Sequence, residues 1–157
     1  MSTESIRNLE SSLYDPQSPY RYRLLYLGEK IRMYKHHKSR SKLFKIFSFV
    51  SGGLMSYYLK VLYDYGLMSV ENVTSFPEFY VYPSSFFLLF VGLAIIHHKR
   101  TKEFEKSLKN DEEIGSQNFE YNMHYVEELY KKLISSGTLQ DYQLIKGNIR
   151  RRVIKEV

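Results

Sequence analysis

The chain contains no cysteine, which removes disulfides, thiolate metal sites and cysteine nucleophiles together. A lumenal domain stapled by disulfides is thereby excluded. Catalytic patterns are missing as well: there is no glycine-rich phosphate loop, no Gly-x-Ser-x-Gly elbow and no Asp-x-Asp-x-Thr pair for phosphoryl transfer. Asp64-Tyr65-Gly66 has the look of a kinase triplet but stands without any companion motif. The expectation is a chain that is not an enzyme, with no catalytic residue, no cofactor and no metal. Residues Met1 to Asp15 have neither the basic start and apolar run of a cleavable signal peptide nor the Arg-rich pattern of a mitochondrial presequence. Membrane insertion would therefore rely on internal segments.

Charge is absent from one long stretch, and this decides the class. Phe79 to Ile96 runs about 18 residues without Asp, Glu, Lys or Arg, close to the ~20 needed to cross ~30 Å of hydrocarbon. Pro83 falls in its first turn, where a missing N–H costs little, and Tyr80 and Tyr82 suit the headgroup level. A first segment, Ile46 to Leu59, has only about 14 uncharged residues between Lys45 and Lys60. The four-carbon stems of both lysines can lie along apolar surface, which extends the usable span to Leu43 through Tyr63. Gly52, Gly53 and Ser56 form a small-residue patch of the kind that lets two helices approach closely in lipid. The mean hydropathy of -0.39 averages this apolar middle with charged flanks and so conceals it.

The positive charge, net +6, sits beside these segments. Arg32, Lys35, Lys38, Arg40, Lys42 and Lys45 precede the first, and Lys99, Arg100, Lys102, Lys106 and Lys109 follow the second. Val61 to Glu78 carries Asp64, Glu71 and Glu78 but no lysine or arginine. Basic flanks face the cytosol, so both termini are expected there, with residues 64–78 as a short lumenal loop. Asn72-Val73-Thr74 in that loop is a formal glycosylation acceptor. Because orientation already accounts for the basic residues, little charge is left to assign to nucleic acid.

Outside the spans the periodicity is helical. Ile6, Leu9 and Leu13 predict a short helix before Asp-Pro-Gln-Ser-Pro. Leu24, Leu27, Ile31 and Tyr34 recur every three or four residues opposite basic side chains, describing an amphipathic helix that lies on a membrane, binds a partner, or packs on the chain's own C-terminal region. Of these, membrane or partner contact is the leading expectation. A hinge is expected at Gly115. Gln117 to Ser136 predicts a helix with Phe119, Met123, Val126, Leu129, Tyr130 and Leu133 on one face and Gly137 as its C-terminal cap. Thr138 and Asp141 resemble a capping box opening a last helix with Leu139, Tyr142, Ile145 and Ile149 on its stripe. The Arg150, Arg151 and Arg152 cluster suits the dipole at that helix's end. The pairs His36-His37 and His97-His98 flank the spans; adjacent histidines on a helix point about 100 degrees apart, so interfacial anchoring is expected instead of metal binding.

The fold class read from these patterns is an all-α membrane protein, a two-helix transmembrane hairpin with cytosolic amphipathic helices at both ends. Its parts are 1–18 (short helix and loop), 19–42 (amphipathic basic helix), 43–98 (hairpin) and 99–157 (C-terminal helical region).

Three stretches carry a family resemblance. Leu24-Leu25-Tyr26-Leu27-Gly28-Glu29-Lys30-Ile31-Arg32, the aromatic exit Tyr57-Tyr58-Leu59-Lys60-Val61-Leu62-Tyr63, and His97-His98-Lys99-Arg100-Thr101 resemble the small regulatory subunit of the nuclear-envelope phosphatase complex, whose fungal members are sporulation proteins. Coverage is roughly residues 20 to 105. The resemblance implies a non-catalytic subunit in the endoplasmic reticulum and nuclear envelope. Its partner would be a membrane-anchored haloacid-dehalogenase-type phosphatase, and their shared substrate a lipin-type phosphatidate phosphatase, giving control of phospholipid and triacylglycerol synthesis. The expected partner surface is Leu24, Leu25, Leu27, Ile31 and Arg32 together with the two spans. Two other readings compete: a membrane-shaping hairpin that acts through lipid with its basic helix as a wedge, and a structural subunit of another membrane enzyme complex.

Overall fold

The computed structural model describes residues 3–15, 18–66, 81–136 and 142–156. All the regular structure among them is helical: α1 (Thr3–Ser11), α2 (Pro19–Asp64), α3 (Val81–Lys109), α4 (Phe119–Ser135) and α5 (Tyr142–Glu156). Two compact units form, one from Met1–His36 with Arg100–Val157 and the other from His37–Lys99. The expected boundary near residue 42 is not a break in the chain's helix. α2 runs uninterrupted for 46 residues, because Pro19 sits at its first position, where proline is already shaped for a helix, and no further proline follows before its end. Likewise α3 carries on past Ile96 to Lys109.

The first unit has one hydrophobic core. Leu24, Leu25, Leu27, Ile31 and Tyr34 of α2 meet Leu9 of α1, Phe104 and Leu108 of α3, Ile114, the α4 face from Met123 to Leu133, and Ile149 and Val153 of α5. This corrects the leading expectation for the amphipathic helix. Its apolar stripe is covered by the chain's own C-terminal helices, and Leu24, Leu27 and Ile31 have no exposed surface. The physical reason is that α4 and α5 each present a complementary stripe, and covering all three faces at once removes the most apolar area from water. The α4 face is the expected one. Gly137, Leu139, Thr138 and Asp141 lie outside the described residues, as do Asn72 and the loop from residue 67; the stripe on α5 continues to Val153.

Polar contacts then fix the register. Tyr130 donates its hydroxyl to Glu29, which is 2% exposed, while the Tyr130 ring lies on Gly28, where a Cβ would come within 2.1 Å of Cδ2. Lys30 Nζ reaches Asp111 at 2.6 Å and the Ser107 carbonyl at 3.3 Å. Arg23 binds Asp111 at 2.9 Å and Glu113 at 2.8 Å. Lys35 pairs with Glu127. Gly115, with φ +63°, donates its N–H to the Asp111 carbonyl at 2.8 Å. The buried Asn122 amide donates to the carbonyls of Ile114 at 2.7 Å and Gln117 at 3.0 Å. The expected hinge at Gly115 is thus a turn held by side-chain hydrogen bonds. Arg152 closes an i, i+4 ion pair with Glu156 at 2.9 Å.

These contacts make stability depend on pH in both directions. Burial pushes the Glu113 carboxyl up, but the hydrogen bond from Arg23, its own backbone amide and the charges of Arg23 and Lys30 outweigh this and leave it below its ordinary 4.5. Glu127, through Lys35, shows the same balance. Such depressed groups contribute stability above the unfolded value that is lost as pH falls below it. On the alkaline side, the hydrogen bond to Glu10 pushes the Tyr125 phenol from 10.0 up to about 12, and burial followed by the bond to Glu156 raises Tyr26. A raised group contributes stability below its unfolded value that disappears as pH climbs through the folded one. Near-ultraviolet circular dichroism of the detergent-solubilised chain should therefore hold a plateau between roughly pH 5 and 10 and lose signal on both sides. A Tyr26→Phe, Tyr125→Phe variant should lose part of the alkaline limb, and an unchanged limb would contradict the assignment.

Candidate functional site

In the second unit, segments of α2 and α3 lie against each other in antiparallel order. His37 meets His97 with Nδ1 to Nδ1 at 2.8 Å, the Ser41 hydroxyl approaches the Ala94 carbonyl at 3.5 Å, the Phe47 and Phe90 rings are 5.3 Å apart, and Ser84 touches the Met55 sulfur at 3.2 Å. A rising number on one helix meets a falling number on the other. Ser48 and Ser51 donate their hydroxyls to Phe44 and Phe47 carbonyls at 2.8 Å, so these polar groups are satisfied within α2 and leave the contact apolar.

The outward faces are apolar where a water-soluble protein would be polar. Phe49 is 84% exposed and Leu88 68%, and Ile46, Leu54, Phe86, Ile95 and Ile96 are exposed with them. Contiguous apolar surface of this kind marks contact with lipid or another protein. α3 is long and apolar enough to cross a membrane, and only 6% of its apolar window is buried within the chain. A helix of that hydropathy in the core of a soluble protein would be covered. Among the described residues it is the only helix that is both long and apolar enough, since Lys45 and Lys60 shorten the apolar stretch of α2.

The two ends of the pair differ. At one, Tyr57, Tyr63, Tyr65 and Tyr82 are exposed. At the other stand Arg40, Lys42, Lys45 and Lys99, all exposed.

The residues expected at the site distribute unequally. Leu24, Leu25, Leu27 and Ile31 pack into the core of the first unit, against the chain's own helices; Arg32 remains on the surface, 3.4 Å from Glu29. Of the small-residue patch, Gly52 alone lies at the helix contact, where a Cβ would stand 3.2 Å from the Phe87 ring. Gly53 has nothing within 4 Å, since the next residue on a helix is turned about 100° away from Gly52, and Ser56, although on the same face as Gly52, is exposed. His37 and His97 meet, with one ring nitrogen accepting from the other, while His98 is exposed. Among the described residues no group of three or more His, Asp or Glu side chains gathers. In the first unit, Arg23 and Lys30 are matched by Asp111 and Glu113, an arrangement that orders the fold.

Sequence reasoning missed Gly28, Asn122 and the Lys30–Asp111 pair. A glycine inside an otherwise regular amphipathic helix was the one available signal for the first, since glycine there costs roughly 1 kcal/mol relative to alanine unless something needs the space. The chain matches no known protein family, no curated protein and no solved structure.

Proposed function

We propose that this chain is an integral membrane protein in which the α2 and α3 segments both cross the bilayer as a hairpin, with both termini in the cytosol. On this reading it serves as a non-catalytic regulatory subunit of a membrane-anchored phosphatase of the endoplasmic reticulum and nuclear envelope that acts on a lipin-type phosphatidate phosphatase. The observation that carries the membrane part is the exposed apolar surface of the paired segments, with tyrosines at one end and basic residues at the other. Lys45 and Lys60 reach the two interfaces along their stems, which lets the shorter α2 stretch span a tilted or thinned bilayer. The regulatory role is supported by the resemblance at Leu24–Arg32, Tyr57–Tyr63 and His97–Thr101. The Leu24–Ile31 stretch then builds the cytosolic unit, and the phosphatase meets the outer faces of the spans and the surface around Arg32.

This arrangement favours a subunit over a lipid wedge, because the apolar stripe that a wedge would insert is already buried against α4 and α5. Protease added outside sealed microsomes should digest epitope tags at both ends, and alkaline carbonate should leave the chain in the membrane. Protection of either tag rules out the hairpin. Co-purification in mild detergent tests the partner: a haloacid-dehalogenase-type phosphatase should be recovered, and replacing Leu88 and Leu89 by alanine should reduce that recovery without extracting the chain. Recovery of a different membrane enzyme in stoichiometric amount would replace the phosphatase reading.

A further inference from the structure

The two paired segments carry no acidic residue of their own beside their basic end. No Asp or Glu occurs from Lys30 to Tyr63 or from Val81 to Lys102. In the first unit Arg23, Lys30 and Lys35 each bind a carboxylate. In the second, Lys45 and His98 make no hydrogen bond or ion pair among the described residues. Both side chains line a groove of about 300 Å³ whose other walls are Ser48, Val91, Ala94 and Ile95. Lys45 lies one turn before Ser48 on α2 and His98 one turn after Ala94 on α3. Because the helices run antiparallel, the two groups stand at the same end. The remainder of the groove is apolar, since the Ser48 hydroxyl is engaged by the Phe44 carbonyl. An apolar slot with two nitrogen donors at its cytosolic end matches a molecule with a hydrocarbon tail and a negative head.

We propose that this groove holds one anionic glycerophospholipid of the cytosolic leaflet, with its phosphate against Lys45 and His98 and an acyl chain along Val91, Ala94 and Ile95. This assignment rests on reading both segments as membrane spans. The bound lipid supplies a negative charge that these two segments lack, and it fills the surface between the helices.

The test uses the full chain in mild detergent, stripped of lipid and then given phosphatidylserine or phosphatidylcholine with the same acyl chains, with bound lipid counted by native mass spectrometry. One phosphatidylserine should bind, preferred by roughly fivefold over phosphatidylcholine, as expected for one lysine near a surface. Lys45→Gln combined with His98→Gln should abolish the preference, Val91→Trp should reduce binding of both lipids, and Lys60→Gln should leave the preference intact. Equal binding of the two lipids by the unaltered chain, or a preference that survives in the double variant, overturns the site; the latter would leave the groove to a partner's helix. Carbonate washing of microsomes separates the two levels of the argument. A chain that stays in the membrane without lipid preference refutes only the groove, whereas a chain that washes off refutes the spans and the groove together.

Discussion

Replacing Gly28 by alanine should destabilise the first unit by about 2–3 kcal/mol, the upper part of the usual range for overpacking, with a fall in thermal midpoint of roughly 10 °C or more. On an isolated helix the same change would stabilise by roughly 1 kcal/mol, so the sign itself is diagnostic. The new Cβ would sit 2.1 and 2.2 Å from two carbons of the Tyr130 ring. That ring cannot swing aside cheaply. It is 6% exposed, and its hydroxyl satisfies the Glu29 carboxylate, which is 2% exposed. Moving it would leave a buried charge short of a donor, a cost of ~1–3 kcal/mol on its own. Gly53→Ala is the matched control, because nothing lies within 4 Å of its Cβ position; it should be neutral or slightly stabilising. Thermal unfolding of the full chain in detergent, followed by near-ultraviolet circular dichroism, measures both. Equal behaviour of the two variants would mean that the Tyr130 contact is not made.

A comparable loss is expected at Asp111. Asp111→Ala leaves the Lys30 ammonium, 3% exposed, with the Ser107 carbonyl at 3.3 Å and the Tyr26 ring at 5.5 Å, and with Glu113 and Glu156 as more distant charges that do not pair with it directly. It also removes one of the two carboxylates that hold Arg23. Breaking one side of a buried pair costs ~3–5 kcal/mol, since the surviving charge stays desolvated. Taking out both partners behaves differently, and Lys30→Met with Asp111→Leu should recover most of that loss. The midpoint of denaturant unfolding at fixed detergent reads the cycle, and a double variant as unstable as Asp111→Ala would show that the pair is not the source of the effect. The Asp111 carbonyl, which accepts from Gly115, is unchanged in every member of the series, so the turn is not itself the variable.

Much of the helical order was legible from local pattern. The stripe on α4, Pro83 near the start of α3 and the apolar run within α3 each depend on neighbours a few residues apart, and such relations survive in a one-dimensional string. The join between residues 42 and 43 was read the same way, and the compact units divide nearby, between His36 and His37. A change of surface character from amphipathic to apolar reads as a boundary, although an α-helix needs no break to change what its faces touch. The Gly52-Gly53-Ser56 patch was found, but composition could not say which glycine meets Phe87.

By itself the sequence determined where helices form, which of them is apolar enough for lipid, and which flanks are basic, because these follow from the periodicity and identity of adjacent side chains. Only the tertiary structure decided that the Leu24–Ile31 stripe is covered by α4 and α5, that Gly28 makes room for Tyr130, and that Asp111 neutralises Lys30. The hydrophobic effect demands that an apolar face be hidden but carries no direction, so the choice between the chain's own helices and a separate partner rests on which complementary surface lies within reach.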